Sequence, residues 1–223
     1  MDYELIVLGA GPGGYAAAIR AAQLGLRVAL IERDLVGGTC LNRGCVPTKA
    51  LLHAAMQYAG IRQAQVWGIH AEEAHFDFAQ MHAHKQEVVD MLRQGVEQLL
   101  QKNRVTCIVG EGQILDAHTV AVAKETYTAA HLLIATGSVP AVPHLPGSTL
   151  PGVVTSDDLL QAPRFFRRLL IIGGGVIGVE FASLYGALGC QVTIVEALDR
   201  VLPQMDREIS QNLSMILKKR GVC

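Results

Sequence analysis

Aromatic residues make up only 5% of the 223-residue chain, and one of them is the single Trp. The longest run of Lys or Arg is the triplet Lys218-Lys219-Arg220, no basic stretch is interleaved with aromatics, and the formal net charge is −1. That balance leaves no electrostatic footprint for nucleic acid. An unbroken apolar span is missing too. Residues 5–31 are interrupted by Arg20, Gln23 and Arg27, and Asp2 and Glu4 stand where a signal peptide would carry Lys or Arg. Residues 169–189 are long enough to cross a bilayer. They hold three consecutive glycines and Glu180, which a strand, a turn and a helix explain better. The expectation is a soluble, cytoplasmic protein with no membrane or nucleic-acid partner. Five cysteines without a secretory signal point to thiol chemistry rather than a disulfide framework.

Half of the residues are hydrophobic and 23 are Gly. That combination fits an α/β protein with aliphatic buried strands and tight loops. Tyr3–Leu8 reads as a strand, Gly9–Gly14 as a turn, Gly14–Gly25 as an Ala-rich helix and Arg27–Glu32 as a second strand. A Gly-rich loop over residues 37–44 then leads to a helix starting near Cys45, with Pro47 in its first turn. Residues 76–102 carry a helical pattern whose apolar stripe is Val88, Leu92, Val96, Leu99 and Leu100. His82 and His84 are expected on its surface. Residues 105–135 read as strands. Pro140, Pro143, Pro146 and Pro151 mark a linker, and the expected domains are residues 1–145 and 146–223.

The strand–turn–helix–strand unit recurs. Leu169–Ile172, Gly173–Gly178, Val179–Leu188 and Gln191–Glu196 repeat the first four elements, and Gly9 to Glu32 and Gly173 to Glu196 both span 23 positions. The expected fold is therefore α/β with two Rossmann-like dinucleotide-binding units. Residues 206–220 read as a helix and Gly221–Cys223 as the start of another strand, so the second unit is incomplete.

Each turn has the pattern G-x-G-x-x-G: Gly9, Gly11 and Gly14, then Gly173, Gly175 and Gly178. The first Gly permits the turn, the second lets backbone approach a pyrophosphate and the third lets helix and strand pack closely. The helix N-terminus offers free N–H groups and partial positive charge. Glu32 and Glu196 stand where a carboxylate meets a ribose. A carboxylate at 196 accepts from a 2′-hydroxyl and repels a 2′-phosphate, which favours NAD over NADP.

Cys40 and Cys45 lie in Gly37-Gly38-Thr39-Cys40-Leu41-Asn42-Arg43-Gly44-Cys45-Val46-Pro47-Thr48-Lys49. A structural zinc site needs about four ligands. Cys107, Cys190 and Cys223 are isolated and no His is near the pair in sequence, so no metal is expected. A loop this short can bring two sulfurs within bonding distance. A helix N-terminus at Cys45, with Lys49 one turn on, favours a thiolate, the species that attacks disulfides.

Together with Ala135-Thr136-Gly137-Ser138, these segments resemble the pyridine nucleotide–disulfide oxidoreductases along the whole chain. The closest likeness is to the branch that oxidises protein-bound dihydrolipoamide. The resemblance implies FAD across Gly9, Gly11, Pro12, Gly13, Gly14, Glu32, Arg33, Gly38, Thr39, Lys49, Gly112, Thr136, Gly137 and Ser138. It implies NAD across Gly173, Gly175, Val176, Ile177, Gly178, Glu180 and Glu196. Cys45 would be the sulfur beside the flavin, Cys40 the interchange thiol of a Cys40–Cys45 disulfide, and Lys49 a neighbour of the flavin. The implied partner is a lipoylated carrier protein of a 2-oxoacid dehydrogenase or glycine cleavage complex, and the full-length enzyme would be a homodimer. The family's His–Glu base and dimer-interface domain have no counterpart among the eight His residues. The chain therefore reads as a fragment not expected to turn over alone. A mercuric or glutathione reductase relative, or a non-catalytic FAD-binding remnant, are the alternative readings.

Overall fold

The computed structural model describes residues 1–71 and 73–223. The chain divides into two units, each with its own core. The first comprises Met1–Pro47 and Gln86–Asp157, the second Thr48–Lys85 and Asp158–Cys223.

The first unit is built on a six-stranded sheet ordered β3-β2-β1-β6-β5-β4. Its strands are β1 (Tyr3–Leu8), β2 (Val28–Glu32), β3 (Thr106–Val109), β4 (Gly112–Ile114), β5 (Thr119–Val122) and β6 (Glu125–Ile134). Strand β1 pairs parallel with both β2 and β6, and β2 with β3. The first part of β6 instead turns back antiparallel on β5, with Val122 opposite Glu125 and Thr119 opposite Thr128. One long strand thus joins a parallel sheet to an antiparallel hairpin. Both faces of β1 and β2 are covered, as their continuous aliphatic runs require. On one face Val7, Val28 and Leu30 pack with Ala18 and Ala21 of helix α1 (Pro12–Gln23) and with Leu100 and Val105. On the other, Ile6, Leu8, Ala29 and Ile31 pack with Val120, Val122 and Ala129.

The chain reverses sheet direction at β1, with β2 on one side and β6 on the other. Ligands of doubly wound sheets settle at such a switch, beyond the carboxyl ends of the strands. Gly9, Glu32 and Ala135 all stand at those ends, joined by hydrogen bonds from Gly9 N–H to Ile31 O (2.8 Å) and from Ala135 N–H to Leu8 O (2.8 Å).

Residues 37–44 differ from the expected loop. Gly38–Arg43 is a short helix, α2, and Cys45–Gln63 is helix α3, so Gly44 is the break between them. The two glycines opening α2 argue against a helix by intrinsic propensity, and tertiary contacts described below hold it.

After helix α5 (Ser156–Gln161), β7 (Arg168–Ile172) of the second unit pairs parallel with β8 (Gln191–Val195), and α6 (Val176–Ala187) connects them. Helix α7 (Arg207–Lys219) follows. Cys223 then donates to Val192 O (3.0 Å) and accepts from Ile194 N–H (2.8 Å), which lays the last residue alongside β8. Leu170 and Ile172 are 62% and 59% exposed. The core gathers Leu51, Ala55, Phe78, Phe181, Leu184, Tyr185, Val192 and Leu217. Five of the chain's few aromatics meet there: Phe165 touches Phe76, Phe78 and Tyr185, and Phe76 touches Tyr58.

Helix α4 (Phe78–Lys102) corrects two expectations. Leu92 and Leu99, assigned to its apolar stripe, are 45% and 50% exposed. His82, assigned to the surface, is buried against Phe78 with ring centroids 4.7 Å apart. The buried positions are instead Phe78, His82, Lys85, Val89 and Leu100. The aromatic cluster, assembled from segments far apart in sequence, decides which face of the first turns is covered. His84 is exposed, as expected. No helix among the described residues is long and apolar enough to cross a membrane.

Candidate functional site

The turn after β1 is fixed by three glycines. Gly9 has φ +95°, a conformation costly for a residue with a Cβ. A Cβ on Gly14 would overlap the Gly9 carbonyl oxygen, so the close packing of α1 on β1 requires hydrogen at that position. Gly11 caps α1 in an extended conformation and Pro12 takes the first helical position, where its missing N–H costs nothing. The helix therefore starts at Pro12, earlier than expected. Among the described residues, a Cβ on Gly11 would have only Gly38 Cα, at 3.9 Å, within reach, and one on Gly13 would have nothing within 4 Å. The space over the helix N-terminus is open. Free N–H groups and the helix dipole face it, and these are what a pyrophosphate needs.

Glu32 closes the turn. Its Oε2 accepts from Ala10 N–H (2.7 Å) and its Oε1 from Asp34 N–H (2.9 Å). Two main-chain donors thus fix the orientation of the carboxylate. Arg33 faces Glu111 across 3.5 Å, both side chains exposed. Gly112 lies in β4, where an added Cβ would press on Leu8 (2.7 Å) and Ile31 (3.2 Å). Its visible role is close packing beneath the carboxyl ends of β1 and β2. Thr136 approaches Gly9, Gly137 has φ +69°, and Thr39 Oγ1 donates to Ser138 O (3.4 Å).

The cysteines sit beside this turn. A Cβ on Gly38 would fall 2.6 Å from Gly11 Cα, and Gly37 N–H donates to Ala10 O (2.8 Å). The first residue of α2 is therefore pressed against the phosphate-type turn, and Cys40 follows two residues later. Cys40 is half-buried and Cys45, the first residue of α3, is exposed. Lys49 follows Cys45 by one helical turn, on the same face.

The second unit reproduces the first turn closely. Gly173 has φ +107°, and Gly11 and Gly175 cap their helices at φ −72°, ψ −177° and φ −71°, ψ −178°. A Cβ on Gly178 would overlap the Gly173 carbonyl oxygen. Glu196 accepts from Gly174 N–H (2.5 Å) and Leu198 N–H (2.9 Å), as Glu32 does from Ala10 and Asp34. The bonds from Leu198 and Gly174 hold the Glu196 carboxyl below its ordinary pKa. Val176 and Ile177 open α6 and are more than half exposed. Glu180, one turn into α6, accepts from Lys49 Nζ at 2.6 Å. The sequence marks both residues but not their pairing.

Three features between the cysteines escape sequence reading. Leu41 is buried against Gly37, Asn42 grips main-chain carbonyls and Arg43 pairs with Asp34. The only sequence signal is their position inside the C-x-x-x-x-C segment.

A Rossmann-like unit whose glycine turn abuts a helix carrying one cysteine of a C-x-x-x-x-C segment is the arrangement of a flavoprotein disulfide oxidoreductase. Residues 3–223 match the family described as pyridine nucleotide-disulphide oxidoreductase, and the chain belongs to that family. Within it, the chain is similar to the dihydrolipoyl dehydrogenase of Acholeplasma laidlawii, 42% identical over 99% of this chain and 67% of that protein. It is similar to the Bacillus subtilis enzyme of the same name at 40% identity, over 99% of this chain and 49% of the relative. Among solved structures, the HOCl-induced flavoprotein disulfide reductase RclA of Escherichia coli superposes with a TM-score of 0.85 at 37% identity, over 99% of this chain and 48% of the other. The chain spans about half the length of most of these relatives and corresponds to their N-terminal part.

The family is one of FAD proteins, and the first unit suits that group: an open glycine turn at a helix N-terminus, an aimed carboxylate, and a second glycine contact from Gly38.

Proposed function

We propose that this chain is the FAD-binding and dithiol-bearing portion of a dihydrolipoyl dehydrogenase. The observation that carries the reading is the contact of Gly38 with Gly11, which couples the helix bearing Cys40 to the phosphate turn. Residues 1–145 carry the FAD-binding domain, its sheet built within Met1–Pro47 and Gln86–Asp157, and residues 146–223 open the NAD-binding domain, whose unit also takes in Thr48–Lys85. Gly9, Gly11, Pro12, Gly13, Gly14 and Glu32, with Gly38, Thr39 and the Thr136–Ser138 stretch, hold FAD. Gly173, Gly175, Val176, Ile177, Gly178 and Glu196 hold NAD, with the carboxylate selecting against a 2′-phosphate.

The chain's own chemistry is thiol–disulfide exchange. A thiolate of protein-bound dihydrolipoamide attacks Cys40 Sγ of a Cys40–Cys45 disulfide. A mixed disulfide forms and Cys45 leaves as thiolate. The second substrate thiolate attacks its own sulfur in the mixed disulfide, closes the lipoamide ring and frees Cys40. Two electrons have passed to the cysteines and two protons to solvent or a base. The positive end of α3 and Lys49 stabilise the departing Cys45 thiolate. When bound, FAD supplies the two-electron relay from this dithiol to NAD+. The Lys49–Glu180 ion pair holds the Lys49 ammonium in one place. The lipoylated carrier of a 2-oxoacid dehydrogenase or glycine cleavage complex is the partner, the whole enzyme is a homodimer, and its setting is the cytoplasm.

The likeness to RclA supports a second reading, a flavoprotein reductase acting on another disulfide. Both readings share the dithiol. Quantitative thiol labelling tests it: denatured protein alkylated with and without prior exposure to dihydrolipoamide is read by peptide mass. The proposal expects Cys40 and Cys45 to be labelled only after exposure, with Cys107, Cys190 and Cys223 labelled in both. Equal labelling of Cys40 and Cys45 in both samples would overturn it.

A further inference from the structure

Every residue between the two cysteines is tied to the chain just before them. Leu41 is 6% exposed and packs on Gly37, where an added Cβ would meet its Cβ and Cδ1 at 2.8 and 2.7 Å. Asn42 Nδ2 donates to Val36 O (3.0 Å) and Gly38 O (3.0 Å), with Leu35 O at 3.4 Å. Three carbonyls around one amide nitrogen can be satisfied only by a donor, which fixes the orientation of the side chain. Arg43 forms an ion pair with Asp34. Gly44 then folds over the start of the helix, where a Cβ would lie 3.0 Å from Thr39 O and 3.3 Å from Cys40 Cα. Helix α2 has six residues and opens with two glycines at φ +101° and +60°. It cannot hold itself together, because a single helical turn fixes several dihedrals for one hydrogen bond.

We propose that Asn42 and Arg43 are positioning residues for the dithiol. They clamp α2 to residues 34–38, so that Cys40 keeps its place when its bond to Cys45 opens. Without the clamp, the reduced form gains freedom that closure must remove again. Holding the thiols close raises their effective concentration toward one another and favours the disulfide. The clamp therefore sets the reduction potential of the pair. This rests on Cys40 and Cys45 being a redox pair, as proposed above.

The test is the equilibrium between the dithiol and its disulfide in oxidised and reduced dithiothreitol. The ring disulfide of oxidised dithiothreitol takes two electrons and two protons from the cysteines, which join as a disulfide. Samples are acid-quenched and alkylated, and the peptides bearing Cys40 and Cys45 are weighed, for this chain, Asn42→Ala and Arg43→Met. We expect Asn42→Ala to shift the equilibrium at least tenfold toward the dithiol, which is about 30 mV for a two-electron couple. Arg43→Met should shift it the same way by about threefold. Because that ion pair is partly exposed, the variant keeps the fold and carries the test if Asn42→Ala does not fold. Far-UV circular dichroism and melting temperature run beside it. Wild-type disulfide formation with an unchanged equilibrium in Arg43→Met and in any folded Asn42→Ala would overturn the clamp, even if melting temperatures fell. A wild-type chain that never forms the bond would overturn the redox pair itself, and the clamp with it.

Discussion

The Glu196 carboxylate accepts the Gly174 N–H at 2.5 Å, just as Glu32 accepts the Ala10 N–H at 2.7 Å in the other unit. The same bond 164 positions apart is one device used twice: the main chain of the turn fixes the orientation of the acid that closes it, the acid proposed to meet a ribose. Glu196→Ala should then weaken NADH binding about tenfold or more, as expected for a lost hydrogen bond to a charged group, and narrow the preference over NADPH. Dissociation constants for both nucleotides check this. Equal NADH affinity in the variant would contradict it.

Glycine spacing in α1 gives an internal contrast. Gly14→Ala forces a methyl into the Gly9 carbonyl, while Gly13→Ala meets nothing within 4 Å. Denaturant unfolding of the apoprotein should show Gly14→Ala destabilised by about 2 kcal/mol or more. Gly13→Ala should be unchanged or more stable by up to about 1 kcal/mol, since Ala is the better helix former.

His82 makes the second unit acid-sensitive. Burial, with the nearby charge of Lys85, pushes its pKa from 6.5 down to about 4. A folded-state value below the unfolded one means that the unfolded chain binds the proton first as pH falls. Stability conferred by neutral His82 is full above pH 6.5 and declines as pH drops toward 4. The loss should be of the order of 1–3 kcal/mol. Its Nε2 is buried and has no hydrogen-bond partner among the described residues. His82→Leu should therefore flatten the dependence of melting temperature on pH between 6.5 and 4. An equally steep profile in the variant would remove His82 as the cause.

Lys49 and Glu180 form a close ion pair, but Lys49 is 57% exposed. Such pairs contribute about 1 kcal/mol or less to stability. Glu180→Gln should leave the melting temperature within a few degrees of wild type, measured by circular dichroism. A loss of many degrees would contradict the assignment of a weak, solvent-screened pair.

Native thiol reactivity should also sort by environment. Cys190 is buried, and burial raises its pKa to about 11. Iodoacetamide at pH 8 should modify exposed Cys45 of the reduced protein well before Cys190. Prior modification of Cys190 would contradict the burial.

Much of this was legible in the sequence, for a physical reason. The strand–turn–helix units are local: the 23-residue spacing, the three glycines and the closing acid lie within one stretch of chain, and their backbone requirements follow from sterics. What escaped depends on distant partners. Helix α2 opens with Gly37-Gly38 and reads as a loop until Leu41, Asn42 and Arg43 are seen to grip residues 34–38. His82 reads as a surface residue until Phe78, Phe165 and Tyr185 converge from separate segments. The pairing of Lys49 with Glu180 joins residues 131 positions apart, which no local pattern encodes.

The central claim is that the first unit joins a bound flavin to the Cys40–Cys45 dithiol. The most direct measurement is the visible spectrum of the FAD-loaded chain under anaerobic conditions, before and after dihydrolipoamide, alongside Cys45→Ser. The account predicts a yellow protein that gains a long-wavelength absorbance band on reduction, and loss of that band in the variant. A chain that retains no FAD, or one whose flavin bleaches without the band in wild type and variant alike, would contradict it.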